Sequence, residues 1–278
     1  MVIARVGTIL TAGILAACVA AQPPPGIDPS AKPRLAKSEI GVVLLHGKLG
    51  MPGSLGWLTS RLQYEGYRVV APEMPWSRER VFDKTYDDSM DEIDSTGRRL
   101  MAEGAKLIVV AGHSLGGNAA LRYAATRANA SALVLMGPGF SPETPYFQSL
   151  LAGSIRDAER AVEAGRGDDR SRFFDITDDV NRPTQPILTN ASTYLSFYGP
   201  KSNAVIPRNA AAVRSSLPVL WILASGDHNF YVRQGTSYGF ESLPTHPLSR
   251  FVRIAASHSE SPTAATAEVI EWIDRLRY

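Results

Sequence analysis

Ser114 lies in Gly112-His113-Ser114-Leu115-Gly116, a G-x-S-x-G pattern. A serine hydroxyl is a weak nucleophile at neutral pH, so it needs a base beside it and a third group to orient that base. Small neighbours are required where a sharp strand-to-helix turn lifts a serine above a sheet, which accounts for the two glycines. Three fixed positions in five carry little information alone, and the flanks strengthen the pattern. A buried apolar run, Leu107 to Ala111, precedes it, and an alanine-rich helical stretch, Leu115 to Thr126, follows. The N-terminus of that helix adds positive potential where an oxyanion would develop.

The chain has five histidines to supply the base. His258 follows the last predicted strand in Ala255-Ala256-Ser257-His258-Ser259, from where it can reach the serine across the sheet top. His46 ends the first strand and is read as bracing its loop. The ring of His113 points into the structure, His228 follows Asp227, and His246 lies between prolines and serines. Asp227, in Ala224-Ser225-Gly226-Asp227 after a strand, is the acid that would hold the imidazole tautomer, which gives the chain order Ser, Asp, His. Glu143, after the fourth strand, is the competing acid. Two backbone N–H groups are needed for an oxyanion hole. Leu115, next to the serine, supplies one, and Lys48, in His46-Gly47-Lys48-Leu49-Gly50 after the first strand, supplies the other through its main chain.

These positions need elements to hold them. Strands are predicted at Ile40–Leu45, Tyr67–Ala71, Leu107–Ala111, Ala132–Met136, Pro218–Ala224 and Phe251–Ala255, and helices at Ser54–Tyr64, Asp87–Glu103, Leu115–Thr126 and Ala264–Arg277. Such alternation specifies an α/β fold, a mostly parallel central sheet flanked by helices. It breaks from Phe140 to Ser216, where one helix is predicted, Phe147–Ala164, then a polar stretch and no clear buried strand. A structureless loop of that length is out of keeping with a compact domain, so residues of about 140–216 read as an inserted cap.

The chain has 278 residues, 44% hydrophobic and 20% charged, with a formal net charge of +2. That suits one large domain, and the charge argues for no nucleic-acid partner. The single cysteine, Cys18, excludes an intramolecular disulfide. It ends a segment that reads as an export signal: Arg5, the apolar stretch Val6–Ala17, then Leu15-Ala16-Ala17-Cys18. This resembles the bacterial lipobox, which implies a signal peptide over 1–17, acylation of Cys18 and a membrane anchor in the cell envelope. Val19 after the cysteine implies outer-membrane sorting. Ordinary secretion with cleavage after Val19-Ala20-Ala21 remains the alternative, and a cytosolic protein the third reading. Residues 18–38, rich in proline, read as an extended tether reaching about 3.1 Å per residue. The folded domain then runs over 39–278.

The first-strand HG-x-x-G, the GHSLGG elbow, the GD after a late strand and the final histidine together resemble the α/β-hydrolase superfamily, in its esterase/lipase and serine-aminopeptidase-like branches. The resemblance covers Ile40 to Tyr278. It implies acyl transfer to Ser114, an acyl-enzyme and attack by water through His258, with no metal or organic cofactor. Serine at the elbow sets the chain apart from branches that use aspartate there. The chain departs from the pattern after the second strand, with Glu73-Met74-Pro75-Trp76-Ser77 where many relatives carry Asp-x-x-Gly-x-Gly. Three functional readings stand at this point. One is an esterase for small or lipid esters, suggested by cap aromatics (Tyr146, Phe147, Tyr194, Phe197, Tyr198). Another is an amidase, peptidase or thioesterase, with Asp168, Asp169, Asp175, Asp178 and Asp179 as candidates to capture an amine. The third is a non-catalytic envelope lipoprotein. Oligomeric state is not legible.

Overall fold

Strand β1 (Ile40–Leu45) is buried at all six residues, the mark of a parallel strand covered on both faces. The computed structural model, which describes residues 34–177, 181–227 and 235–277, places it inside a six-stranded sheet of order β2-β1-β3-β4-β7-β8. The partners are β2 (Arg68–Val70), β3 (Leu107–His113), β4 (Ala132–Met136), β7 (Val219–Ala224) and β8 (Arg250–Ile254), and every pairing is parallel. All six expected strands are present, with ends shifted by a residue or two. This is the α/β-hydrolase architecture expected from the sequence.

Side chains alternate faces along each strand, and the sheet divides the core accordingly. Val43, Leu45, Val110, Leu133, Leu135, Val219 and Trp221 point to one side, and Val42, Leu44, Val109, Val134, Leu220 and Ile222 to the other. Helices α2 (Tyr86–Ala102) and α3 (Leu115–Thr126) contribute to the first side through Met90, Ile93, Leu121 and Tyr123. The second side is covered by α1 (Gly56–Tyr64) through Leu58 and Leu62, and by the C-terminal helix through Val269 and Trp272. The closing helix is in two pieces, since Pro262 opens a short one, Ser261–Ala264, before Thr266–Arg275. The acids Asp87 and Asp88 in the first turn of α2 and the Thr85 cap, whose hydroxyl accepts from Asp88 N at 3.1 Å, fix where that helix starts.

The cap differs from expectation. Its helix α4 (Pro145–Glu163) forms as predicted, but the polar stretch read as lacking strands is an antiparallel hairpin, β5 (Arg170–Ile176) with β6 (Thr184–Asn190). Helices α5 (Ala191–Tyr198) and α6 (Ile206–Ala211) follow. The hairpin's inward positions are Phe173, Asp175, Ile187 and Thr189. A charge and a hydroxyl among four buried positions hide the apolar alternation that marks a strand.

At the N-terminal end the tether does not extend to Ser38. Leu35 N donates to Arg277 O at 2.9 Å and Arg277 Nε donates to Leu35 O at 2.7 Å, so the chain is already bound to the domain there. Residues 1–33, including the signal-like segment and Cys18, lie outside the described residues. Among the described residues no helix is long and apolar enough to cross a membrane.

Candidate active site

Ser114 occupies the turn between β3 and α3 with φ 55° and ψ −122°, a region that non-glycine residues visit rarely. Such strain costs about 1–3 kcal/mol and persists only where its surroundings enforce it. Here Ser114 N donates to Met136 O at 3.0 Å, and Ser114 O accepts from Gly117 N, Asn118 N and Gly139 N at 2.9, 3.1 and 3.1 Å. The two glycines of the motif are steric necessities. A Cβ on Gly112 would lie 2.2 Å from Gly116 O, and one on Gly116 would lie 2.4 Å from Leu45 O.

His258, between β8 and the closing helices, bonds through Nδ1 to Asp227 Oδ2 at 2.5 Å. Asp227, after β7, has only 3% of its side chain exposed, against 22% for His258. A carboxylate only accepts, so Nδ1 carries the proton and Nε2 of the neutral ring carries the lone pair of the base. Both side chains lie against the end of β4. A Cβ on Gly137 would fall 3.1 Å from His258 Nδ1 and 3.5 Å from Asp227 Oδ2. Met136, the preceding residue, holds Ser114 N. Serine, histidine and aspartate thus gather at one corner of the sheet. Glu143 is engaged elsewhere: its carboxylate accepts from Tyr238 OH, and burial raises its pKa.

His113 is tied to the base as well as to the elbow. Its Nε2–H donates to the carbonyl of His258 at 2.9 Å, and the two rings lie 4.7 Å apart. Burial, reinforced by His258 close by, lowers its pKa to about 4, so it stays neutral beside the His258–Asp227 pair. The sequence points this ring inward but gives no sign of its partner, which lies 145 residues further along.

The loop after β1 faces the serine, since a Cβ on Gly47 would be 3.1 Å from Ser114 Cβ. Its shape is set by the segment after β2, Glu73 to Ser77. Leu49 N donates to Trp76 O at 2.8 Å, Trp76 Nε1 to His46 O at 2.9 Å and Met74 N to His46 Nε2 at 3.0 Å. His46 braces the loop in the role read for it, and burial lowers its pKa. The neighbouring Leu49 and Gly50 amides are spent within the structure, whereas the Lys48 amide has no backbone acceptor among the described residues. Leu115, first in α3, has no intrahelical acceptor for its N–H. Both candidate oxyanion donors therefore flank Ser114. Among the described residues no group of three His, Cys, Asp or Glu side chains could hold a metal ion.

Two expectations about the cap change. Phe147, Tyr194, Phe197 and Tyr198 are buried, Tyr198 packing on Phe140 and Phe147 and on Tyr194 at 4.5 Å, so they form a core and not a substrate lining. Tyr146 alone of that set is exposed. Of the acids considered for amine capture, Asp175 is fully buried and already bonded to Lys48, Tyr198 and Gln185. Asp168 and Asp169 are exposed, and Asp178 and Asp179 lie outside the described residues, as does His228.

Comparison with known proteins bears on the fold. Three solved structures share the fold. A monoacylglycerol lipase from Paleococcus ferrophilus is 21% identical, with 84% of this chain and 94% of that one covered and a TM-score of 0.60. A metagenome-derived lipolytic enzyme is 17% identical, with 86% and 93% covered and a TM-score of 0.60. A thermostable carboxyl esterase from Bacillus coagulans is 18% identical, with 89% and 90% covered and a TM-score of 0.58. No curated protein matches the sequence. Residues 42–269 match the alpha/beta hydrolase family, and with the strained Ser114 elbow on a parallel sheet the chain belongs to that family.

Proposed function

We propose that the chain is a serine hydrolase that cleaves carboxylic esters through an acyl-enzyme on Ser114. The observation that carries this is the strained Ser114 turn on the same sheet edge as the His258–Asp227 pair, whose carboxylate is buried. His258 Nε2 takes the hydroxyl proton as Ser114 Oγ attacks the ester carbon, while Asp227 stabilises the imidazolium. The Lys48 and Leu115 amides receive the oxyanion. Collapse of the tetrahedral species returns the proton to the departing alcohol. Water, deprotonated by the same ring, then attacks the acyl-enzyme and frees Ser114.

Esters are favoured over amides by two considerations. The lipolytic and esterase activities named for the similar folds point that way, and the acids that would capture an amine are either paired or exposed. The buried state of the cap aromatics removes one argument for long acyl chains, so chain length is left to measurement. Hydrolysis of p-nitrophenyl esters from two to sixteen carbons tests the reading. Wild type should turn over, and Ser114→Ala should lose roughly 10⁴-fold or more in kcat while keeping its melting temperature. Wild-type inactivity on every chain length, with no fluorophosphonate label on Ser114, would overturn it.

Residues 1–18 support a further proposal, that the enzyme works in the bacterial envelope on a lipid anchor at Cys18. Fatty-acid labelling that persists in Cys18→Ala would reject it.

A further inference from the structure

Lys48 is shared between the core and the cap. Its main chain lies in the loop that faces Ser114, while its side chain reaches into the cap hairpin. Nζ donates to both oxygens of Asp175, at 2.7 and 2.8 Å, and to the carbonyl of Ile176. Asp175 is fully buried on β5 and also accepts from Tyr198 OH at 2.8 Å and Gln185 Nε2 at 3.2 Å. Tyr198 in turn packs against Phe140, where the chain enters the cap. On its other side the same loop is held by Trp76 and Met74 through Leu49 and His46. The Lys48 peptide is therefore clamped between two anchors, one on the core and one on the cap. The Asp175 carboxylate of this pair is fully buried while the Lys48 side chain is 20% exposed, and the bonded geometry has a narrow range because loosening it leaves the Asp175 charge without solvent or partner.

We propose that Asp175 is a positioning residue: through Lys48 Nζ it ties the seated cap hairpin to the oxyanion loop, so that the Lys48 N–H is aimed at the ester oxygen only while the hairpin is docked. This rests on the assignment of Ser114 and Lys48 made above. Asp175 touches no reacting atom. Its effect falls on the transition state, where the oxygen acquires charge, and leaves ground-state binding nearly untouched.

The test uses the full-length chain as wild type, Asp175→Asn, Lys48→Met and the double variant. Active sites are counted by the end point of fluorophosphonate labelling, which removes misfolded molecules from the rate. For p-nitrophenyl butyrate, kcat per labelled site should fall roughly 10- to 100-fold in each single variant, with KM within about threefold. The Ki of an alkyl trifluoromethyl ketone, whose adduct places an oxyanion in the same hole, should rise by the factor that kcat/KM falls. The double variant should be no slower than the worse single one, because both act through one link. It also leaves neither charge alone, so it carries the test if a single variant fails to fold. Rates and ketone affinities within twofold of wild type in all variants would overturn the proposal, leaving the pair a structural staple. So would a double variant that does not fold. Wild type lacking turnover and label would instead strike the esterase reading, and normal variants beside an inactive Ser114→Ala would strike only this one.

Discussion

At the sheet corner, Ser114, Asp227 and His258 each come from a loop that directly follows a parallel strand, and so do Lys48 and Gly137. Their placement follows from the register of β1, β3, β4, β7 and β8, with only backbone bonds and two glycines needed to finish the turn. The cap has no such frame. Its helices and hairpin are held by a cluster of edge-to-face aromatic contacts (Phe82, Phe140, Phe147, Phe197, Tyr198) and by polar links, Lys48 to Asp175 and Asn118 to the carbonyls of Phe140 and Ala204. A site can be exact in a region where strands dictate position, while the region that covers it depends on contacts between residues far apart in sequence. Lesions at the corner should therefore strike rate, and lesions in the cap should strike stability, except at Asp175, whose link to Lys48 joins the two regions.

The largest effect expected is at the corner. Asp227→Asn keeps the shape but allows the wrong imidazole tautomer, and should lower kcat about 10⁴-fold, equivalent to about 5.5 kcal/mol of barrier, with little change in melting temperature. Should the variant retain a tenth of wild-type activity, Asp227 would not be the orienting acid and Glu143 would be next to mutate. In the cap the expectation reverses. Phe197 is fully buried against Phe82 and Tyr86, and Phe197→Ala should cost about 3–5 kcal/mol in urea unfolding while kcat per labelled site stays within a few-fold. A variant as stable as wild type but catalytically dead would erase the distinction between the two regions.

The smallest effect sharpens the link between them and pH. His113 takes its proton at about pH 4 when folded, well below the ordinary histidine value of 6.5. Between those values the unfolded chain binds a proton that the folded chain refuses, so stability falls as pH drops through this window and levels off below it. The contribution is on the order of 3 kcal/mol. His113→Gln, which can still donate to the His258 carbonyl, should flatten that part of the profile. Urea midpoints at pH 6.5 and 4.5 that move together in both proteins would remove His113 from the account.

Much of the corner is legible in the residues and their order. The elbow motif carries its own strand and helix, the loop bearing Asp227 follows a fully buried apolar run, and the loop bearing His258 follows the half-exposed edge strand β8. The cap is legible only as an interruption. Asp175 looks like one of several solvent-facing acids until the partner 127 residues away is known, and its burial is what conceals strand β5. The tether shows the opposite error. Leu35 belongs to the domain because Arg277 is beside it, and no local pattern signals that.

The sequence by itself determined the parallel sheet and the strand-end loops that carry Lys48, Ser114, Asp227 and His258, because strand periodicity and strand-end loops are local properties. Only the tertiary structure decided which acid meets His258, that His113 donates to the His258 carbonyl, and that the loop after β1 is joined to the cap through Lys48 and Asp175. Those outcomes turn on which buried polar groups find partners, and burial brings together residues that the chain keeps far apart.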